Sequence, residues 1–337
     1  MSTLAASVFV GQDATYVLNE YGGVWAVDYR NYGQLGDNTH ATTGILVPQR
    51  VGDMAKNVVK IEAAKAYLNV YGTPVVAVND DGSVYFWPQA AMSGGGVGVF
   101  NYKTLELIGF TGPVLDATIS GYNQYHHVYV LVSRGDSNAV ECLGYNNYGQ
   151  LGDGTKTTQA TPQPVVGTRP FAGLNGPSFS ATQIAASYHG ACASNETHTW
   201  CWGYNTYGQI GDGTVTAQCS GAKDPVVGSG MFDAPITDLQ CGSQHCCMLL
   251  ASGNMSCWGY NNYGQLGDGT VTVRNQPVAV IGLIGAIASM SVGYQHSCVV
   301  TFDGELYCWV RRMLVCVGAR ITNELDSRDP AAGACAT

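Results

Sequence analysis

Charged residues are scarce in this chain, and basic residues are the scarcer of the two signs. Charged residues make up 12% of the 337 residues, about half of the usual share. There are 15 Lys and Arg against 24 Asp and Glu, which gives a formal net charge of −9 at pH 7. A nucleic-acid-binding protein normally carries a basic face that replaces phosphate counterions. The composition therefore argues against nucleic acid as a partner.

Long hydrophobic runs are also missing. No apolar stretch approaches the roughly 20 residues of a membrane-spanning helix, so we expect no membrane span. The first ten residues, MSTLAASVFV, have no basic segment and only a short apolar run, which makes them a poor secretory signal. If the protein is secreted, its leader peptide lies outside this numbering. Sustained helical periodicity is absent as well.

Glycine and tyrosine, by contrast, are abundant. The chain has 44 Gly, and its 20 Tyr far outnumber its 8 Phe. Apolar residues reach 46%, which is enough for a substantial core. Many glycines and tyrosines with few charges suit short strands, tight turns and an aromatic surface that forms hydrogen bonds.

One long string occurs four times. Its clearest copy, SCWGYNNYGQLGDGT, occupies residues 256–270. Two near-identical copies occupy residues 141–155 and 200–214, and a weaker copy occupies residues 24–39. So long a string does not recur by chance, and the chain is therefore a repeat protein.

A second marker precedes the string in the later units, and the first two units lack it. It is a Gly-x-x-His segment that runs into a cysteine, as at residues 242–247 and 293–298. About ten residues later comes a position that holds Leu143 in one unit and tryptophan in the others. Those tryptophans are Trp25, Trp87, Trp202, Trp258 and Trp309. Successive members of this series lie 51 to 62 residues apart, which divides the chain into about six units.

Each unit is predicted to form four short strands. Short β runs interrupted by Gly, Asn and Asp at regular intervals indicate an all-β fold. A period of ~40–50 residues or more with four strands per unit is typical of a β-propeller. We therefore predict a propeller of four-stranded blades over residues 1–309, with about six blades and seven possible. The repeat is eroded at residues 88–100 and ends at residue 309, so residues 310–337 form an atypical tail that could close the ring.

The residues that recur in every unit are predicted to build the blades. The glycines of the GQLGDG segment suit positive φ in a tight turn. Asp153, Asp212 and Asp268, each with a threonine two residues later, suit hydrogen bonds to nearby backbone amides. The tryptophan is large enough to fill the wedge between adjacent blades.

Six cysteines are spaced for cross-strand pairing. Cys247 and Cys257 lie ten residues apart around a short loop, and Cys298 and Cys308 repeat that spacing. A three-residue hairpin loop places such residues opposite one another, within reach of a disulfide. Cys192 and Cys201, nine apart, suit an even-numbered loop. The alternative is a set of buried free thiols in a cytosolic protein. The sequence leaves open the pairing of the other six, which are Cys142, Cys219, Cys241, Cys246, Cys316 and Cys335.

Three such pairs predict an oxidising, extracellular compartment. Two N-glycosylation sequons, at Asn195 and Asn254, fall in the same hairpin tips and support that prediction. His245, Cys246 and Cys247 allow a metal hypothesis, but adjacent residues of a strand point to opposite faces, so we expect no metal site there. We also expect no cofactor, because no catalytic arrangement or phosphate-binding loop stands out.

The two repeated segments resemble the repeat family named after the regulator of chromosome condensation. The resemblance rests on Gly-x-x-His-x-Cys and Cys-Trp-Gly-x-Asn-x-x-Gly-Gln-Leu-Gly-Asp-Gly-Thr, covers roughly residues 8–309 and is strongest over residues 141–309. It implies a propeller, typically of seven blades. The paired cysteines look like the extracellular and bacterial branches. Members include a GTPase exchange factor, ubiquitin-ligase modules and a secreted β-lactamase inhibitor, so the resemblance does not supply a single function.

The first functional hypothesis is a non-enzymatic extracellular propeller that binds protein or assembles with itself, as a filament or surface-layer subunit. Its candidate contact segments are residues 88–110 and 310–337, where the repeat is abandoned. The second hypothesis is an intracellular guanine-nucleotide exchange factor or ubiquitin-pathway adaptor, which would have free thiols. A third, an enzyme in the central channel, has only fold precedent in its favour.

Overall fold

The computed structural model describes eleven segments of the chain. They are residues 5–10, 14–28, 45–51, 57–64, 74–87, 105–122, 125–166, 180–216, 233–283, 285–310 and 313–317. These residues form short strands joined by turns and loops, and none of them is helical. The described part accordingly contains no helix with the length and apolarity needed to cross a membrane.

The strands form six antiparallel sheets, each made of consecutive strands. Blade 1 contains β1 (Ala5–Val10), β2 (Ala14–Asn19), β3 (Val24–Asp28) and β4 (Ile45–Arg50), and blade 2 contains β5 (Val58–Ala63), β6 (Val75–Asn79), β7 (Val84–Trp87) and β8 (Leu105–Leu107). Blade 3 contains β9 (Val114–Tyr122), β10 (Tyr125–Ser133), β11 (Asn138–Gly144) and β12 (Gln159–Pro164), and blade 4 contains β13 (Gln183–Ser187), β14 (Gly190–Ser194) and β15 (Thr199–Gly203). Blade 5 contains β16 (Ile236–Cys241), β17 (His245–Leu250), β18 (Met255–Gly259) and β19 (Arg274–Ala279), and blade 6 contains β20 (Ile287–Val292), β21 (Ser297–Thr301), β22 (Leu306–Val310) and β23 (Met313–Val317).

The prediction of an all-β propeller is confirmed, and the blades number six. Among the described residues five blades have the predicted four strands, and blade 4 has three. The first strands of blades 2 to 6 pack against one another in order, β5 on β9, β9 on β13, β13 on β16 and β16 on β20. Successive side chains along each strand point to opposite sides of the sheet, so every blade has two faces. We call the face toward the preceding blade the rear face and the face toward the following blade the front face.

Each pair of successive blades shares one hydrophobic cluster, built from the front face of one blade and the rear face of the next. Between blades 5 and 6, for example, Cys247 and Leu249 of the front face meet Val299, Tyr307 and Trp309 of the rear face. Equivalent clusters join blades 1 and 2, 2 and 3, 3 and 4, and 4 and 5. The core of the molecule is therefore divided into wedges between blades.

The connections lie on two opposite sides of the propeller, because successive strands run in opposite directions. The turn between the first two strands of a blade and the loop between its last two strands share one side, which we call the loop face. The turn between the second and third strands lies on the other side, which we call the hairpin face. The repeated GYNxYGQLGDGT string follows the third strand and thus belongs to the loop face.

Two details differ from the sequence analysis. The strand register aligns Val27, which pairs with Thr15, with Trp258, which pairs with Cys246. Trp25 therefore lies two residues away from the repeated tryptophan position. Sequence spacing alone did not show this, because the equivalence depends on the register of the strand pairs.

The second detail concerns the atypical tail. Met313–Val317 forms β23 and pairs with β22, so it completes blade 6. The boundary at residue 309 and a role of the tail in closing the ring stay predictions. Residues 29–44, 88–104 and 318–337, which include most of the predicted contact segments, lie outside the described residues.

Candidate functional site: the aromatic loop face

The repeated loop is held by one hydrogen-bonded arrangement. In blade 5, Asn261 Oδ1 accepts a bond from the Leu266 amide at 3.0 Å, and Asn261 Nδ2 donates to Asp268 Oδ1 at 3.0 Å. Asp268 Oδ1 also accepts from the amide of Thr270 at 3.0 Å. The same bonds recur around Asp153 and Asp212. These three aspartates therefore fix the loop backbone, as their spacing predicted.

The repeated loops of blades 3, 4 and 5 each cover the tryptophan of the next blade. The Trp258 indole donates from Nε1 to the carbonyl of Gln209, in the loop of blade 4, at 3.0 Å. Gly267, in the loop of blade 5, lies directly against the Trp309 ring. Trp87, Trp202, Trp258 and Trp309 are all buried on rear faces. The tryptophans thus fill the wedge between blades, and the loop of one blade closes that wedge over the next.

A continuous row of aromatic rings runs across the loop face of blades 3 and 4. Tyr125 lies 4.4 Å from Tyr145 between ring centroids, and Tyr145 lies 6.3 Å from Tyr148. Tyr148 continues the row to His189 at 4.7 Å and to Tyr204 at 5.9 Å. Because the loop is rigid, this row is preformed rather than assembled on contact.

A second row lies on blades 4 and 5. Tyr207 lies 4.9 Å from Tyr260, and Tyr260 lies 6.0 Å from Tyr263. The members of both rows are half-buried except Tyr148, which is 43% exposed. We call the two rows together the aromatic loop face. It offers ring faces and edges to solvent while the ring positions stay fixed by their neighbours.

Two titratable groups of the aromatic loop face, His189 and Tyr145, are neutral near pH 7. Burial lowers the pKa of His189 to about 4, so its imidazole is neutral. Burial, followed by the neighbouring Tyr148 and Tyr125, raises the pKa of Tyr145, so its phenol stays protonated. A partner that binds at these two residues therefore meets a neutral imidazole and a neutral phenol.

His127 and His245 sit below this surface and join neighbouring blades, whereas His296 of the last marker is exposed. His245 Nε2 lies 2.9 Å from Ser297 Oγ of blade 6, and that hydroxyl donates to the Gln265 carbonyl at 3.0 Å. His127 Nε2 lies 3.2 Å from the Ser187 carbonyl of blade 4. Burial lowers the pKa of His127 to about 3, so it is a neutral structural group.

Comparison with known proteins agrees with this architecture. The family model described as the regulator of chromosome condensation (RCC1) repeat matches residues 198–249 and 252–300, and a second model of the same repeat matches residues 236–265. Residues 198–300 of the chain therefore carry RCC1 repeats. Its blades 4 to 6 carry the matched repeats, which are also the blades with paired cysteines.

Relatives of this RCC1-repeat chain include much longer proteins. It is 25% identical over 319 residues to the human E3 ubiquitin-protein ligase HERC2, which covers 92% of this chain and 6% of HERC2. It is 28% identical over 192 residues to the ultraviolet-B receptor UVR8 of Arabidopsis thaliana, covering 57% of this chain and 41% of UVR8. The chain thus spans only a small part of HERC2 and less than half of UVR8.

Two solved structures share the fold of the RCC1-repeat chain. Human WBSCR16 superposes with a TM-score of 0.73 at 20% identity, covering 93% of this chain and 79% of that one. Yeast RCC1 (Prp20), solved bound to Kap60, superposes with a TM-score of 0.68 at 19% identity, covering 90% of this chain and 69% of that one. At these identities the likeness concerns the fold alone.

The RCC1-repeat chain carries four disulfides in its described part. Cys192–Cys201, Cys247–Cys257 and Cys298–Cys308 each join the second and third strands of a blade, which are the three pairs that the spacing predicted. In all three pairs the cysteines are direct cross-strand partners. The fourth, Cys241–Cys246, joins the first and second strands of blade 5.

Sequence reasoning missed Cys241–Cys246 because it looked only across the hairpin that recurs. The available signal was the five-residue spacing across the Gly-x-x-His turn, which makes these residues direct partners. Cys142, whose pairing the sequence leaves open, has no cysteine opposite it on the neighbouring strand. Its cross-strand partner is Tyr129, so the site of a disulfide in other blades holds a buried free thiol here. Burial raises the pKa of that thiol well above its usual value.

The metal hypothesis at His245, Cys246 and Cys247 does not match the arrangement of the side chains. Cys246 belongs to the cluster with blade 4 and Cys247 to the cluster with blade 6. The sulfurs of Cys192, Cys241 and Cys246 do lie within 4.8 Å of one another. All three belong to disulfides, whereas a metal is held by thiolates.

The two sequons lie on the hairpin face, opposite the aromatic rows. Asn254 is exposed, and its Nδ2 donates to Asp233 at 3.2 Å. Asn195 is half-buried, and its Oδ1 accepts from the amides of Thr197 and His198. Glycosylation at either position stays a prediction.

The aromatic rows are the part of the site that sequence reasoning did not find. The tyrosine excess and the repeated Tyr-Asn-x-Tyr string were visible. Their meeting across blades depends on the side on which each loop emerges and on the angle between blades, and neither can be read from one repeat.

Proposed function

We propose that the protein is a non-enzymatic binding module that holds a protein partner against the aromatic loop face of blades 3 to 5. The observation that carries this proposal is the preformed aromatic row from Tyr125 through Tyr148 to Tyr204. Tyrosine is enriched at the centre of protein interfaces, where it supplies large contact area and a hydroxyl that pairs with polar groups.

Rigidity favours binding at this surface. The tyrosines stand on a loop whose Asn, Asp and Thr side chains bond one another and the backbone. Their rings also pack edge to face with their neighbours. Side chains that are already ordered lose less conformational entropy on binding, so more of the contact energy appears as affinity.

We also propose that the protein works outside the reducing cytosol. The four disulfides support this, since structural disulfides persist in oxidising compartments. The position of both sequons on the hairpin face is compatible with glycans that leave the aromatic rows uncovered.

The relatives do not decide the partner. Prp20p of Saccharomyces cerevisiae, a structural neighbour of this chain, is described as binding Gsp1p and histones, and the human relative HERC2 is named as a ubiquitin-protein ligase. Those partners and that activity belong to proteins of 19% and 25% identity. An intracellular exchange factor or ubiquitin-pathway adaptor remains the alternative, and it requires reduced cysteines.

A paired substitution tests the binding surface. Tyr148→Ala with Tyr204→Ala removes the centre of the first row, and Tyr21→Ala is the matched control. Tyr21 is 70% exposed, lies on the hairpin face of blade 1 and is remote from both rows. Immobilised wild type and both variants are incubated with the secreted fraction and the cytosolic fraction of the source organism, and retained proteins are quantified by mass spectrometry.

We expect a protein of the secreted fraction to be retained by the wild type and by Tyr21→Ala, and to fall at least about tenfold on the double variant. The interaction is then rebuilt from purified components. Equal retention on all three proteins would remove the aromatic loop face from the proposal. A partner that appears only in the cytosolic fraction would favour the alternative.

A further inference from the structure

Six blades provide five interfaces in the described part of the chain. Each hydrophobic cluster joins blade 1 to 2, 2 to 3, 3 to 4, 4 to 5 or 5 to 6. Among the described residues no cluster joins blade 6 to blade 1. Two faces are therefore left over, the rear face of blade 1 and the front face of blade 6, which we call the end faces.

The rear face of blade 1 is apolar and incompletely covered. Val8, Val17 and Trp25 are successive cross-strand partners and form one row across it. Val8 is 57% exposed, and Val17 and Trp25 are half-buried. An open cavity of about 450 Å³ lies at the hairpin-face end of blade 1, between Trp25, Arg50, the turn at residues 19–23 and Asn57 of blade 2.

The equivalent row in blade 5 has a different environment. There Leu239 pairs with Met248 and Met248 pairs with Ser256, in the same register as Val8, Val17 and Trp25. Leu239 is 2% exposed because blade 4 covers it. In blade 6 the equivalent row is also buried and ends in Tyr307, an aromatic residue like Trp25. The rear face of blade 1 is thus built like the others without a described blade against it.

The front face of blade 6 shows the same contrast. Its Cys298–Cys308 disulfide is half-buried, and so are Val300 and Leu306 beside it. The equivalent Cys247–Cys257 disulfide of blade 5 is fully buried under blade 6. The two disulfides have the same sequence spacing and strand register. They differ in burial, because blade 6 follows blade 5 whereas no described blade follows blade 6.

The two end faces are the two halves of the interface that this chain already makes five times. In two of the five interfaces a front face with a disulfide and aliphatic groups meets a rear face with an aromatic residue, as Cys247 and Leu249 meet Tyr307 and Trp309. The front face of blade 6 and the rear face of blade 1 have those same two compositions. Apolar surface of this kind marks an association site in a soluble protein.

We propose that the end faces bind each other between copies of this chain, so that blade 6 of one copy packs against blade 1 of the next. Such contacts join two different surfaces and are therefore heterologous, which builds a head-to-tail chain or a larger ring. This proposal does not depend on the aromatic loop face, which lies on a different side of every blade. Failure of one proposal leaves the other intact.

A mixing experiment tests the head-to-tail geometry. Trp25→Glu blocks the rear face of blade 1, and Leu306→Glu blocks the front face of blade 6. Both side chains are half-buried, and circular dichroism with thermal melting checks that each variant folds. Sedimentation velocity is measured over a concentration series for the wild type, for each variant alone and for an equimolar mixture. Ile108→Glu, at a 75% exposed residue that follows β8 of blade 2 and lies outside both proposed surfaces, serves as the matched control.

We expect the wild type and Ile108→Glu to form oligomers as concentration rises, and each blocked variant to associate at least about 30-fold more weakly. The mixture should form a dimer and nothing larger, because only one front face and one rear face remain intact. If Trp25→Glu unfolds, Val8→Glu replaces it on the more exposed end of the same row.

Three results would overturn the proposal. A wild type that stays monomeric at every concentration means that the end faces close on each other or are covered within one chain. Oligomers that persist in both blocked variants place the contact elsewhere. A mixture that stays monomeric excludes the heterologous pairing of these two faces.

Discussion

Single glycines decide how closely one blade approaches the next. Gly267 has φ +66°, a left-handed conformation that residues with a Cβ adopt at a cost. A Cβ at this position would lie 2.8 Å from Nε1 of Trp309. Gly304 has φ +83° in the hairpin of blade 6, yet nothing lies within 4 Å of its Cβ position. A comparison of these two glycines therefore separates the cost of backbone strain from the cost of a steric clash.

Gly267→Ala is expected to destabilise the protein more than Gly304→Ala. Both substitutions place alanine in the left-handed region, which costs about 1–2 kcal/mol. Only Gly267→Ala also pushes a methyl group into the Trp309 ring, which adds about 1–3 kcal/mol of overpacking. The free energy of unfolding from urea titrations, with the wild type as reference, measures both. Equal losses would show that the loop can move away from the indole at no cost.

At this scale the sequence predicted the residues that act within one loop. Asp153, Asp212 and Asp268 form the bonds expected of them because their partners lie a few residues away. Trp25 was assigned to the repeated tryptophan position because its neighbourhood resembles the string. Strand register shows that Val27 is the residue at the repeated tryptophan position. A shift of two residues keeps a side chain on the same face of the sheet.

The hairpin of the second and third strands is the element that the disulfides stabilise. Cys192–Cys201, Cys247–Cys257 and Cys298–Cys308 close loops of nine or ten residues. Each closure contributes on the order of 2–3 kcal/mol in the chain-entropy model. The hairpins were predictable because both cysteines lie on neighbouring strands with one short turn between them. Cys241–Cys246 follows the same geometry across a different turn and was not predicted.

The disulfides are expected to open in a defined order. Protein isolated from its source without reductant should have at least eight cysteines blocked to alkylation, two for each of the four disulfides. Under mild dithiothreitol in native buffer, Cys298–Cys308 should then open before Cys247–Cys257, because a thiolate must reach the sulfur it attacks. Differential alkylation and peptide mass spectrometry follow both pairs in one sample.

These two disulfides form a matched pair, since both have a sequence separation of ten and the same cross-strand register. Opening of both at one rate would mean that the front face of blade 6 is as well covered as that of blade 5. Free thiols at these positions in protein from the source would contradict the oxidising compartment.

For the whole molecule, stability is shared between neighbours. Each hydrophobic cluster contains residues of two successive blades, so a blade inside the series is held from both sides. Arrays of this kind behave approximately as sums of unit and nearest-neighbour terms. The repeat period predicted this arrangement, and the predicted number of about six units agrees with the six blades. The period did not predict which faces stay uncovered, because that depends on the summed angle between blades.

Hydrogen exchange should reveal the difference between end blades and inner blades. At concentrations below self-association, amides of β2 and β21 are expected to exchange at least about tenfold faster than those of β14 and β17, since blades 1 and 6 have one described neighbour each. Peptide-level mass spectrometry measures this, and raising the protein concentration should slow the end blades alone. Uniform protection in a monomer would indicate a ring in which blades 1 and 6 support each other.

The two sides of the propeller point in opposite directions, and this sets how the molecule has to be presented. A tether attached at the hairpin tips, for instance at the exposed Ser252, leaves every ring from Tyr125 to Tyr263 directed away from its support. A tether attached through the repeated loop would bury the same rings against the support. A biosensor built on this protein will therefore respond or stay silent according to which side carries its anchor.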